Sequence, residues 1–417
     1  MKRSKTGYLE IFILLLTTVL CCTPMLESNP LLKIVLILFS IPIFLKDISI
    51  IKKKELSLVF FVFLYLFLVF LYRIAGFSSA AWGRYVFYLY IELQVLLMLV
   101  IPNKILNGGK TWVLWFILIV IGINVGWNIY MIYLNPQISI NWHNIDEGML
   151  HTMNIGLSSF HVMCLFFFNV CFFVYLNCKI KAVKYINLFF SMIAAVYIVG
   201  FCYKASVVIF FFLSLVLLLL TKNTKSNGRT LMTIGIAAVV SMLLLSTFTD
   251  SIVKFIVEYS PSERLTQRLV LLIDDNSDYA NDSSYNARVD LWYSSLFTWF
   301  ESVESFFIGV GDHWGDLNSG VGQHSDLLDH FAKYGLMGTS LLIAILVKSF
   351  KAIISFFDEK YHVQIMMIIL VYLACGVTKR IFFSDIGMVF YLLLPLAAMF
   401  VNDKNVSQKK VKINSNK

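Results

Sequence analysis

The sequence predicts an all-α polytopic integral membrane protein, on three observations. Of the 417 residues, 59% are hydrophobic and only 14% are charged. The apolar residues come in repeated runs of about the 20 residues that an α-helix needs to cross a bilayer. The polar residues collect in the intervals between those runs. A net charge of +9 would suit nucleic acid, but the basic residues follow the membrane rule and form no basic domain.

Taken in order, the apolar runs give twelve candidate spans, near residues 8–24, 31–46, 56–74, 82–101, 112–134, 154–177, 185–203, 205–221, 231–249, 335–347, 363–377 and 383–401. The first follows a basic MKRSK start and lacks a small-residue cleavage site, so it is expected to be a retained helix. Only Lys204 divides the seventh from the eighth. With both counted and the N-terminus inside, about two thirds of the 34 basic residues fall on the inner side. That asymmetry favours about twelve transmembrane helices with both termini in the cytoplasm. The seven cysteines, Cys21, Cys22, Cys164, Cys171, Cys178, Cys202 and Cys375, lie within or beside apolar runs and show no disulfide framework or zinc spacing.

This divides the chain into spans one to nine (1–249), one long extracytoplasmic loop (250–334), spans ten to twelve (335–401) and a basic cytoplasmic tail (402–417). A smaller outer segment, 135–154, has no Lys or Arg. Within the long loop, SPSERLTQRLVLLIDD offers Ser260 as N-cap, Pro261 at the first helical position and Glu263 to close a capping box. Arg264 and Arg268 then share a face, as interfacial anchors or as ligands. A second helix is expected over 288–307, with Trp292, Leu296, Trp299, Val303 and Phe306 on one stripe and Ser295, Thr298, Glu301 and Ser302 polar. Both are expected to lie along the outer membrane surface as amphipathic helices. A third starts at Ser325 as cap, with Asp326 in its first turn. His324 stands before that cap, after the Gly-rich approach GVGDHWGDLNSGVGQ, whereas His330 falls on the side of Asp326 and Lys333 and is expected to be solvated. Gly335 and Gly338 allow the next span to kink or to pack closely.

An outward site with arginine, histidine and aromatic rings suits a phosphate-bearing lipid. Arginine presents a planar fork to phosphate oxygens, and histidine takes a proton from an attacking hydroxyl. Each candidate also has a structural alternative. Arg288 could neutralise Asp290, His324 could make an ordinary loop hydrogen bond, and Arg73 and Arg84 could anchor spans three and four at the headgroups instead of reaching a diphosphate. Lys204 interrupts a long apolar stretch and needs water or a partner. Glu92, the clear carboxylate within a span, could pair a buried cation or make a structural hydrogen bond. Asp274, Asp275, Asp278 and Asp282 do not fit a calcium loop, and Asp312, His313, Asp316 and His324 have no diagnostic metal spacing.

Asn286, Ala287 and Arg288 followed by Trp292, then Ile308, Gly309, Val310 and Gly311, then His324 and Ser325 with Leu328, and finally Tyr334, Gly335, Leu336, Met337 and Gly338 make a pattern that resembles the O-antigen polymerase and O-antigen ligase family. The resemblance covers the many-span architecture with one long outer loop, and in motif terms residues 286–338. It implies an inverting, metal-independent glycosyltransferase without a cofactor, acting on an undecaprenyl-diphosphate-linked glycan at the outer face of a bacterial inner membrane. By carry-over, Arg288 binds the donor diphosphate and His324 orients or deprotonates the acceptor hydroxyl. Lys204, beside Ala205 and Ser206, stands where the family often has a second arginine. Arg84, Arg264 and Arg268 are further substrate-binding candidates, and Trp292 offers a ring to a sugar face. The implied partners are the glycan carrier, the bilayer and a chain-length regulator, with no nucleic acid. Polymerisation of repeat units of O-antigen or capsular polysaccharide is the expected activity, and the sequence QHSDLLD favours that branch. Transfer of glycan to lipid A core, as in the ligase branch, would use the same residues. A transporter of lipid-linked sugars is the rival from another class, but it would be expected to carry several ionisable residues at mid-membrane. A receptor or scaffold would leave Arg288 and His324 unused.

Overall fold

The computed structural model describes residues 8–23, 30–47, 51, 55–76, 82–108, 110–135, 153, 155, 158–202, 205–222, 283–313, 320–321, 325–378, 381–382 and 389–402. Among them every regular element is helical. In chain order these are α1 (Tyr8–Cys22), α2 (Pro30–Asp47), α3 (Leu56–Ile74), α4 (Trp82–Gly108), α5 (Thr111–Leu134), α6 (Ser158–Asn177), α7 (Lys181–Val196), α8 (Ala205–Leu220), α9 (Ser283–Phe300), α10 (Val303–Phe307), α11 (Asp326–Ile354), α12 (His362–Thr378) and α13 (Leu394–Val401). The expected ninth span, near 231–249, lies outside the described residues. The other expected spans fall in helices, and six of the described helical stretches are long and apolar enough to cross a membrane.

A π-helical turn, Tyr197–Phe201, extends α7, and Cys202 is then extended with φ −78° and ψ 124°. The helix therefore ends at Cys202, and a new one, α8, begins at Ala205. A second π turn, Val389–Leu393, leads into α13.

The helices are apolar on nearly every side, as elements between a protein interior and lipid must be. Along α3, Val62, Tyr65, Leu66, Val69 and Tyr72 are buried, while Phe60, Phe63, Phe67 and Leu71 point outward. The interior is dominated by aromatic packing, with Tyr372 and Phe390 stacked at 4.0 Å and Phe166 edge-on to both. α6 and α7 pack along each other, as do α2 and α4, and α8 and α12. For the site, the important set is α3, α9, α10 and α12, all of which pack on α11.

The loop helix expected over 288–307 is in fact two helices. α9 ends at Phe300, and Ser302 caps the short α10 by accepting from Ser305 N–H at 2.9 Å, while Ser305 Oγ accepts from Ser302 N–H at 2.9 Å. This reciprocal cap satisfies the donors at the α10 start and ends the longer helix.

The face assignment on α9 also differs from expectation. Its hydroxyl side faces the protein: Ser295 and Thr298 are buried, and Ser294 and Thr298 donate to Gly320 O at 2.6 and 3.0 Å. Trp299 is half-buried against Phe331 at 4.2 Å and Phe306 at 5.1 Å, and its indole N–H donates to Phe306 O. Tyr293, Phe297 and Phe300 point outward.

A candidate site at the start of the broken helix

The Ser325 side chain accepts from Leu328 N–H at 3.1 Å and starts α11, as the sequence predicts. Asp329 then makes a staple that the sequence reading passed over. One of its carboxylate oxygens accepts from Ser295 Oγ on α9 at 2.8 Å, and the other accepts from Ser325 N–H at 3.1 Å. All three residues are buried, so these bonds form away from competing water. Asp329 thereby ties α9, the helix that carries Arg288 and Trp292, to the residue that follows His324. Asp326 makes a similar tie in another direction, accepting from the backbone N–H groups of Ile381 and Phe382.

Nine residues into α11 the helix breaks at Gly335, with φ 59° and ψ −162°, a region open in practice to glycine alone. A break frees carbonyls that would otherwise accept from the next turn. Two of them are taken by an outside segment: Val310 N–H donates to Ala332 O and Gly311 N–H donates to Lys333 O, each at 2.8 Å. The approach is backbone to backbone. A Cβ on Gly309 would lie 2.5 Å from Lys333 O, and one on Gly335 would lie 2.4 Å from the carbonyl carbon of Phe307. The Gly-x-Gly at 309–311 and the glycine at 335 are thus two halves of one interlock. Tyr72 at the end of α3 donates its hydroxyl to Ile308 O and fixes the interlock to that helix.

Beneath the interlock lies a buried polar cluster. Lys333 Nζ and Asp312 Oδ1 pair at 2.9 Å with both side chains almost fully enclosed, and Tyr88 donates to Asp312 Oδ2 at 3.3 Å. His330 is 3% exposed, which corrects the expectation that it is solvated. Its Nδ1 lies 2.9 Å from Asp326 O, and a carbonyl oxygen only accepts, so Nδ1 carries the proton. In the neutral ring Nε2 is then the acceptor, and it takes the Tyr65 hydroxyl at 2.6 Å. The physical reason for the error is the surrounding medium. Where the outside of a helix meets lipid, the polar face turns inward, and Asp326, Asp329, His330 and Lys333 are all buried while Leu327, Leu328 and Phe331 are half-exposed.

The sequence-predicted site residues fall as follows. Arg288 lies in α9, on the stripe that continues through Ser295 and Trp299 toward α11; only its backbone position is described. Trp292, one turn later, is half-buried, and its indole N–H is buried without a hydrogen-bond acceptor among the described residues. Arg84 lies in the first turn of α4, again as a backbone position. His324, Lys204, Arg264 and Arg268 lie outside the described residues. Glu92 is buried in α4 with Oε2 lacking a hydrogen-bond partner among the described residues. No group of three or more metal-ligating side chains comes together among the described residues.

The candidate site is thus the approach of α9 to the capped start of α11, resting on the interlock and the polar cluster. Sequence reasoning missed Asp329, Lys333, Tyr65 and Tyr88. Asp329 had a local signal, since it stands four residues after Ser325 on the same face. The other three meet their partners across the fold and had none.

Comparison of the chain with protein-family models and with curated proteins finds no match. The fold and the site define a class: an all-α membrane protein with a charged and hydrogen-bonded cluster built around one broken helix.

Proposed function

We propose that the chain is a glycosyltransferase that polymerises undecaprenyl-diphosphate-linked repeat units of O-antigen or capsular polysaccharide. It works at the outer face of a bacterial inner membrane, with about twelve spans, both termini in the cytoplasm and the long loop outside. The growing glycan is the donor, and a single lipid-linked unit supplies the acceptor hydroxyl. That hydroxyl attacks the anomeric carbon from the face opposite the diphosphate, inverting it. The new glycosidic C–O bond forms as the bond to the diphosphate breaks. His324 takes the proton of the attacking hydroxyl, and Arg288 neutralises the diphosphate as it leaves. No metal or other cofactor is assigned a role, and a chain-length regulator is a natural partner. Lys204, Arg264, Arg268 and Arg84 are further phosphate partners from the same side, with lysine acting as a point charge.

The observation that carries this reading is the convergence of the motif elements. Arg288 and Trp292, Gly309 with Gly311, Ser325 and Gly335 are spread over some fifty residues, yet the staple at Asp329 and the glycine interlock join their elements directly. The unsatisfied indole N–H of Trp292 supports a ligand at that place.

The test is glycan length in cells that carry His324→Ala or Arg288→Ala at normal protein level. Single repeats on the final lipid acceptor, with polymer lost, are the expected outcome. Polymer stranded on its carrier lipid would point instead to ligation, and full-length polymer in either variant would refute the site.

A further inference from the structure

The inverted face of α9 has a consequence independent of any catalytic reading. Three aromatic side chains one helical turn apart, Tyr293, Phe297 and Phe300, are 56%, 73% and 62% exposed. The hydroxyls that would normally face water on such a helix are instead engaged with Gly320 O and Asp329 on the protein side. An aromatic stripe of this kind marks contact with a partner or with lipid.

Two features identify lipid. First, the chain following α9 is fixed in height, because Tyr72, in the last turns of the spanning helix α3, donates to Ile308 O just beyond α10. The end of a span is the headgroup level. Second, α3 carries an outward apolar row, Phe60, Phe63, Phe67, Leu71 and Ile74, that ends at that same junction, where Phe307 is also exposed. On the outward side, Asp290 stands in mid-helix about one turn before Tyr293, and Glu301 follows the end of α9, both exposed. A helix with an exposed aromatic face on one side and its hydroxyls engaged on the other, held at the end of a span, lies in the plane of the interface.

We propose that Tyr293, Phe297 and Phe300 are immersed in the hydrocarbon edge of the lipid bilayer, with Asp290 and Glu301 at the headgroups. α9 is then part of the membrane perimeter and not a cap in water.

The experiment places a nitroxide label at Phe297→Cys, and separately at Tyr293→Cys and Phe300→Cys. The full-length protein is reconstituted in phosphatidylcholine–phosphatidylglycerol vesicles, and the signal of identically treated unsubstituted protein is subtracted. Collision with dissolved oxygen should exceed collision with a water-soluble nickel chelate at all three positions, and the ratio should reverse severalfold at Asp290→Cys and Glu301→Cys. Nickel-dominated collision at 297 and 293 would overturn the proposal, because the face would be in water. Low access to both reagents, with spin–spin broadening that disappears on dilution with unlabelled protein, would also overturn it, because a second copy would cover the face. The labelled side chains are exposed, so at least one of the three variants is expected to fold.

Discussion

Gly335→Ala should weaken the protein more than any other glycine-to-alanine change in the described spans. The new methyl would sit 2.4 Å from the Phe307 carbonyl carbon and 2.5 Å from Ile308 N, and both are backbone atoms held by neighbouring hydrogen bonds. Ordinary carbon contact needs about 3.5 Å or more, so the interlock must open by roughly 1 Å. Opening stretches the Val310 and Gly311 bonds from 2.8 Å beyond the useful range. A buried peptide group left unpaired costs about 1–3 kcal/mol, and a non-glycine residue at this φ and ψ costs about 1–3 kcal/mol in strain. Since the helix can relax in part, a loss of about 4 kcal/mol is expected. Equilibrium unfolding in mixed micelles by increasing sodium dodecyl sulfate measures it. Gly126→Ala, in the same assay, is the control. It lies within α5 with nothing inside 4 Å of the added carbon, so it should be neutral or stabilising by about 0.5–1 kcal/mol. Equal midpoints for Gly335→Ala and the unsubstituted protein would refute the interlock.

Three further outcomes follow from the cluster and the cap. Lys333→Met or Asp312→Leu each strands a buried partner and should cost about 3–5 kcal/mol, whereas the two together should cost clearly less than the sum; additive losses in the same unfolding assay would show that the pair is not coupled. Tyr65→Phe removes the hydroxyl bonded to His330 Nε2 and should destabilise by about 1–3 kcal/mol, while His330→Ala made on top of it adds packing loss and the loss of the Nδ1 bond to Asp326 O; an unchanged midpoint for Tyr65→Phe would contradict the buried bond between the two side chains. Ser325→Ala deletes the cap of α11 and should cost about 1 kcal/mol, with Ser325→Thr, which keeps the hydroxyl, losing less; equal losses for Ala and Thr would mean that the side-chain acceptor is not what matters.

How far the sequence could be read varies with the range of the interactions. Apolar length located the described helices apart from α9 and α10, because a bilayer demands runs of that length whatever the tertiary packing. The Ser325 cap and the kink at Gly335 were legible, because caps and left-handed backbone are written in one or two residues. The Ser302 cap was written as locally, but the stripe of Trp292, Leu296, Trp299, Val303 and Phe306 masked it by continuing in phase across the break. Which way a helix faces was misjudged at His330 and along α9 for one reason: polar residues were assumed to face outward, and in both helices they are buried against the protein while apolar side chains point out. The Lys333 pair with Asp312 and the Tyr65 bond to His330 join residues from different elements. No periodicity encodes which span lies beside which.

The central claim is that this chain extends a lipid-linked glycan through His324 and Arg288. Its most direct test uses the purified full-length protein in vesicles that contain an undecaprenyl-diphosphate-linked repeat unit, with a chelator present and product length read by gel. A ladder of carrier-linked oligomers that disappears with His324→Ala and with Arg288→Ala is the predicted result. A ladder that survives both substitutions in folded protein, or no ladder from the unsubstituted chain, would contradict it.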